Sequence, residues 1–129
     1  MNRLDQALGI HPQALQLRAR RAEILAANLA NADTPAYKAR DFDFQAVLRR
    51  EAPGVRLATT RPGHIQPGTG PLSSAQVAYR VPTQPASDGN TVDPDLEYNQ
   101  YASNLLEYQA SLRFLNDRIK TLKLAIRGQ

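Results

Sequence analysis

From Tyr98 onward, apolar residues return at Tyr101, Leu105, Tyr108, Leu112, Leu115, Ile119, Leu122 and Ile126, in strides that alternate three and four. That stride is the a/d seam of a left-handed coiled coil, held for about four heptads, and it predicts one long helix over residues 96–129. Polar residues such as Asn99, Gln100, Ser103, Glu107, Arg113 and Asp117 fill the positions between. Beside the seam, Ala102, Leu106, Ala110 and Phe114 recur every fourth residue as a second ridge. Two adjacent ridges fit either a wide core-facing stripe in a small bundle or a helix shared between chains of an assembly.

The N-terminal pattern is also helical. Leu8, Leu15, Ala22 and Leu29 repeat at seven, Leu17 and Ile24 add a neighbouring line, and Leu25 lies between them. Proline is tolerated best in a first helical turn, so Pro12 places the start of a continuous helix near His11 or Pro12. Its end is expected near Asn31, because Thr34 precedes a proline and is pushed out of helical dihedrals. A short turn around Leu4 to Leu8 precedes it. These boundaries give an N-terminal helical segment over 1–34, a middle over 35–95 and a C-terminal coiled-coil helix over 96–129.

The middle reads differently. Seven of the nine prolines and five of the seven glycines lie between Pro53 and Pro94. "ARDFDFQAVLRRE" alternates Phe42 and Phe44 and then allows a turn or two of helix. "VRLATT" and "AQVAYRV" are short strand candidates, with Val77, Tyr79 and Val81 on one face. The rest is turn chemistry, so an irregular or weakly β connection is expected. Such a middle offers little to cover two apolar helices, and a lone helix is marginal in water. The fold class is therefore mainly α, with the terminal helices pairing as a coiled coil that neighbouring subunits complete.

Candidate chemistry is sparse. The absence of cysteine removes disulfides, thiolate catalysis and cysteine metal sites. His11 and His64, the only histidines, fall at a helix start and in a Pro/Gly loop. "DGNTVDPDLE" has the carboxylate density of a calcium loop without its alternating ligands. It reads better as a helix start, with Asp93 as cap and Pro94 in the first turn. "GHIQPGTGP" lacks the Lys-Ser/Thr and the helix of a P-loop. No catalytic set, cofactor, metal or small-molecule substrate is implied. The net charge of +4 is spread along the chain. Arg18, Arg20 and Arg21 point to different sides of a helix, which argues against a nucleic-acid stripe. Arg118, Lys120, Lys123 and Arg127 complement the negative end of the last helix, and Gly128 stops it. No apolar run of signal-peptide or membrane-spanning length occurs, so neither a Sec signal nor membrane insertion is expected.

One stretch is more specific than all of this. "AANLANADTPAYKARDFDF", residues 26–44, resembles the N-terminal signature of flagellar basal-body rod proteins, a helix ending in Asn-x-x-Asn followed by Thr-Pro-Gly-Tyr. Asn28, Asn31, Thr34, Pro35 and Tyr37 match. Ala36 stands where the family has glycine, so the turn after Pro35 is less free to take a positive φ. "KARDFDF" points within the family to the proximal rod protein, and "DGNTVDPDLE" resembles the approach to the family's C-terminal helix. The resemblance implies a structural, non-enzymatic rod subunit in the periplasmic basal body. It implies partners among its own copies, other rod and basal-body proteins and the flagellar type III export apparatus.

On that reading the assembly interface is the seam from Tyr98 to Ile126 against Leu15, Ala22, Leu25 and Leu29 of the same or a neighbouring chain. Asn28 and Asn31, three apart, share a helical face. Asn28 is expected to hydrogen-bond in a packed interface and fix register, and Asn31 to end the helix with Asp33 and Thr34 holding the turn. The alternative is that both cap the helix and face solvent. A small dimeric coiled-coil adaptor or nucleic-acid-binding regulator would also explain the heptads and the pI near 9.8, but not the Asn-x-x-Asn stretch.

Overall fold

The computed structural model describes residues 7–51, 77–84 and 86–128. The strand candidate at 55–60, His64 with its Pro/Gly loop, and the start of the turn at Leu4 lie outside those residues.

Two long helices dominate. Helix α1 spans His11–Ala30 with a proline in its first turn, as the position of Pro12 requires. It ends before Thr34-Pro35 because Asn31 closes it: its amide side chain donates to the Ala27 carbonyl at 2.8 Å. The Asn31 backbone N–H also turns back to Ala27 and Asn28. Helix α3 spans Pro94–Arg127. Asp93 caps it by accepting from the Leu96 N–H, Pro94 opens its first turn, and Gly128 ends it at φ +71°, a conformation glycine adopts without cost.

Between them, strand β1 (Arg40–Asp41) precedes helix α2 (Phe44–Glu51), and strand β2 (Ala78–Tyr79) pairs antiparallel with β1, Arg40 opposite Tyr79. Part of the second strand candidate thus forms a two-residue ribbon, and its partner, which the sequence did not mark as a strand, is the stretch just after the Asn-x-x-Asn motif. This part of the middle covers more of α1 than its composition suggests. Phe42 and Val47 join Leu17 in the main buried cluster, flanked by Ile24, Phe44 and Leu48. Alternating Phe42 and Phe44 are brought onto α1 by the strand-to-helix bend.

Helices α1 and α3 run antiparallel. Asn28 meets Glu97 at one end, and His11 stacks on Phe114 toward the other. Helix α3 turns Tyr101, Tyr108, Leu115, Ile119 and Leu122 at least partly inward, whereas Tyr98, Leu105, Leu112 and Ile126 are exposed. The face that meets α1 is a 4/3 seam of its own, Glu97, Tyr101, Asn104, Tyr108 and Leu115, so the Tyr98–Leu105–Leu112 line lies one residue, about 100° of rotation, to its side. The buried positions alternating with the tyrosines are polar instead, Glu97 and Asn104. On α1 the deepest positions are Ala14, Leu17, Leu25 and Asn28, while Leu15, Ala22 and Leu29 are half-buried.

The turn after Pro35 takes a positive φ without glycine: Ala36 sits at φ +60°. Its N–H is held by the Asp88 carbonyl at 3.0 Å. An L-residue carries about 1–2 kcal/mol of strain there, partly offset by the extra freedom a glycine has in the unfolded chain. Ala36→Gly is therefore expected to stabilise the chain by about 0.5–1 kcal/mol. A thermal melt tests this; an unchanged or lower midpoint would mean the turn is relaxed as it stands.

Candidate functional site

The Asn-x-x-Asn turn and the "DGNTVDPD" segment, far apart in sequence, form one unit. Asn90 is buried, and its amide donates to the carbonyls of Asn31, Ala32 and Thr34 at 3.0, 2.8 and 2.9 Å. Those carbonyls follow the end of α1, where the helix ladder no longer supplies donors, and those of Asn31 and Thr34 also accept from the Thr34 and Tyr37 N–H groups. The Asn90 side-chain oxygen in turn accepts from the Val92 N–H at 2.8 Å. Thr91 accepts from the Ala39 N–H through its hydroxyl, and its own N–H donates to the Tyr37 carbonyl. Gly89, at φ +75°, lets the segment pass close to Ala36. Asn90→Ala is expected to cost about 2–3 kcal/mol, since three carbonyls lose a shared donor and the Val92 N–H loses its acceptor. Chemical denaturation of the purified variant reads this directly, and a loss below half that figure would show that water substitutes for the amide.

One turn deeper lies Asn28, fully buried. Its amide group reads both backbone groups of Arg40: Nδ2 donates to the carbonyl at 2.7 Å and Oδ1 accepts from the N–H at 3.0 Å. Nδ2 also donates to Glu97 Oε2 at 3.1 Å, and the Tyr37 hydroxyl donates to Oδ1 at 3.4 Å. Asn28 thus ties α1 to the motif turn, to β1 and to α3 within one chain. Asn31 is the residue that ends the helix, with the Thr34 hydroxyl donating to its side-chain oxygen at 3.1 Å. Asp33 is exposed and Thr34 sits at the turn itself.

Around Asn28 two arginines alternate with two carboxylates. Arg21 grips Asp41 with two bonds of 3.1 and 3.0 Å and reaches Gln100 at 3.1 Å. Arg80 bridges Asp41, at 2.7 Å, and Glu97. Burial pushes the Asp41 carboxyl up, but the bonds from Arg21, the Phe42 N–H and Arg80 outweigh it and hold it below its ordinary 3.8. The Arg21 guanidinium is held above its ordinary value, first by its bond to Asp41. Burial pushes the Glu97 carboxyl up, against the lowering by the Asn28 bond and the Arg80 charge.

The two carboxylates therefore act on stability with opposite sign. Asp41, depressed in the fold, contributes stability above its unfolded value that is lost as pH falls through the folded one. Glu97, raised in the fold, contributes stability at acid pH that is lost as pH rises through its folded value. Asp41→Asn is expected to cost about 2–3 kcal/mol at neutral pH, because it leaves two largely buried guanidiniums short of a charge. It is also expected to flatten the acid limb below pH about 4. A stability–pH curve for both proteins tests it; parallel acid limbs would remove Asp41 from the account.

Both carboxylates are committed to arginines, and among the described residues no three His, Cys, Asp or Glu side chains converge as for a metal ion. The cluster is a structural joint. Sequence reading did not single out Asp41, Arg80, Glu97 or Asn90 as a group, although Asp41 lies within "KARDFDF" and Asn90 within "DGNTVDPDLE".

The exposed face of α3 is the other feature. Leu106 and Phe114 are 67% and 63% exposed, and Tyr98, Leu105, Leu112, Leu124 and Ile126 also face outward. Large apolar side chains left in solvent in this number along one helix mark it as an interaction surface. No described helix is long and apolar enough to cross a membrane.

Residues 1–38 match the family described as flagella basal body rod protein. The chain is 46% identical over 135 aligned positions to the flagellar basal body rod protein FlgB of Salmonella typhimurium, covering 99% of this chain and 98% of that one. It is 48% identical to FlgB of Cereibacter sphaeroides strain ATH 2.4.9, over 95% of this chain and 94% of the relative. Against FlgB of Escherichia coli K12 the identity is 47%, over 93% and 92%.

Proposed function

The chain belongs to the flagellar basal body rod protein FlgB family, and from that premise we propose how it works as a structural subunit of the rod. The terminal helices form a stem whose outward face of α3 is covered by neighbouring subunits, transmitting torque through helix packing. The observation that carries this reading is the set of large apolar side chains left outside on a 34-residue helix whose inward face already meets α1. The seam residues Tyr98, Leu105, Leu112 and Ile126 belong to that outer contact, and Tyr101, Tyr108, Leu115, Ile119 and Leu122 to the inner one. The joint around Asn28, Asn90 and Arg80 fixes the angle and register at which the stem is presented.

The partners are copies of the chain and other rod and basal-body proteins, met in the periplasm after export by the flagellar type III apparatus. The role is structural and needs no cofactor. Quantitative mass spectrometry of purified hook–basal bodies from the source cell tests it. The chain should be enriched there over whole-cell levels; finding it only in the cytosol would overturn the proposal.

A further inference from the structure

Residues 77–84 run beside the joint without packing into it. Ala78, Tyr79, Val81 and Pro82 are exposed, Tyr79 at 67% and Val81 at 84%, and none of them belongs to the cluster around Leu17, Phe42 and Val47. Apolar burial therefore contributes little to holding this segment. Within it only Val77 and Arg80 are half-buried. Strand β2 is two residues long, and its pairing with β1 is continued by the Arg80 N–H, which donates to the Ala39 carbonyl at 2.9 Å. The other ties are peripheral: Arg40 lies over the Tyr79 ring at 5.6 Å, and the Thr83 hydroxyl donates to Asp93 at 3.5 Å.

The Arg80 side chain is a different kind of anchor. Its guanidinium spans two carboxylates from different elements, Asp41 of β1 at 2.7 Å and Glu97 of α3. It is 19% exposed, and the Glu97 side chain is fully buried. Charge-assisted bonds are the strong ones, and a planar guanidinium can serve two acceptors at once. Both acceptors keep other donors if Arg80 leaves. Asp41 retains two bonds from Arg21, at 3.1 and 3.0 Å, and one from the Phe42 N–H at 2.8 Å. Glu97 retains the bond from Asn28 Nδ2 at 3.1 Å. Departure of the segment thus leaves neither carboxylate without a donor, and the guanidinium itself returns to water.

We propose that residues 77–84 form a latch, seated by Arg80 between Asp41 and Glu97, that opens as a unit while the α1–α3 stem and the joint around Asn28 and Asn90 stay folded. Local opening of this kind occurs where few apolar contacts are lost and the backbone bonds lie near solvent. The segment meets both conditions. Seated, the latch completes the joint. Open, it leaves Asn28 tying α1 to β1 and α3, and Asn90 tying the approach to α3 onto the end of α1. Opening also frees the Ala39 carbonyl and the edge of β1 that faces β2. Attachment of the middle of the chain is thereby separated from the geometry of the stem. The latch is a property of the single folded chain, so its failure in the test leaves the rod reading untouched.

The test is amide hydrogen exchange of the purified full chain, read by NMR at several urea concentrations below the unfolding transition. In the wild type the Arg80 amide should be at least about a hundredfold less protected than those of buried Leu17 and Leu25 in α1. Its exchange should also be nearly independent of urea, because opening the latch exposes little surface, whereas the Leu17 and Leu25 amides should respond steeply. Arg80→Gln should lower the protection at residue 80 by at least about tenfold, with α1 and α3 still folded and their amides still slow. Val81→Ala, which removes exposed apolar surface, should leave residue 80 within about twofold of wild type. An Arg80 amide with the protection and urea dependence of Leu25 would overturn the proposal. So would an Arg80→Gln chain that keeps residue 80 protected or loses α1 and α3 together with the latch, or a Val81→Ala chain as unprotected at residue 80 as Arg80→Gln.

Discussion

Ala102→Asp/Leu106→Asp is expected to abolish incorporation into the basal body while leaving the isolated chain as stable as wild type. Both positions lie on the outer ridge of α3 and are exposed. Substitutions at such positions stay within about 0.5 kcal/mol in the monomer. In the assembled rod the same carboxylates would be buried without partners, a penalty of several kcal/mol at each repeated contact. Motility and basal-body occupancy should both be lost, with the melting curve of the purified chain unmoved. A fully motile double variant would mean that neighbours leave this ridge uncovered.

Asn28→Ala should have the largest effect on the stability of the chain itself. It removes a side chain that satisfies the Arg40 N–H and carbonyl and donates to fully buried Glu97. Leaving those groups unpaired costs about 3–4 kcal/mol, a large part of the margin of an ordinary domain. Asn31→Ala, which loses only an end-of-helix bond and a partner for Thr34, should cost about 1 kcal/mol. Urea denaturation of the two variants separates them. Equal losses would mean that the two asparagines are alike as helix caps and that the joint around Asn28 contributes nothing of its own.

The difference between these asparagines shows what was legible in sequence and what was not. Helix starts were readable because Pro12, Asp93 and Pro94 act locally, and the stop at Gly128 for the same reason. The seam of α3 was readable as a pattern, but its division into inner and outer faces was not. That division depends on which face of the helix α1 occupies, which lies one residue off the apolar seam. The spacing of Asn28 and Asn31 put them on one helical face, yet their burial differs because β1 passes over Asn28 and leaves Asn31 at the rim. The partners of Asp41, Glu97 and Asn90 come from segments up to several dozen residues away, and no periodicity marks such pairs. The glycine-to-alanine departure at residue 36 was visible in the motif. Only the Ala36 N–H held by Asp88 shows how the positive φ survives it.

The central claim is that the outer face of α3, open in the single chain, is buried by neighbours in the rod. The chain has no cysteine, so Leu106→Cys supplies a unique thiol on that face. Maleimide labelling of this variant, in purified form and within isolated hook–basal bodies, is the most direct measurement. The account predicts rapid labelling of the purified chain and protection of the same residue in the basal body, released when the structure is dissociated. Equal labelling in both states would contradict it.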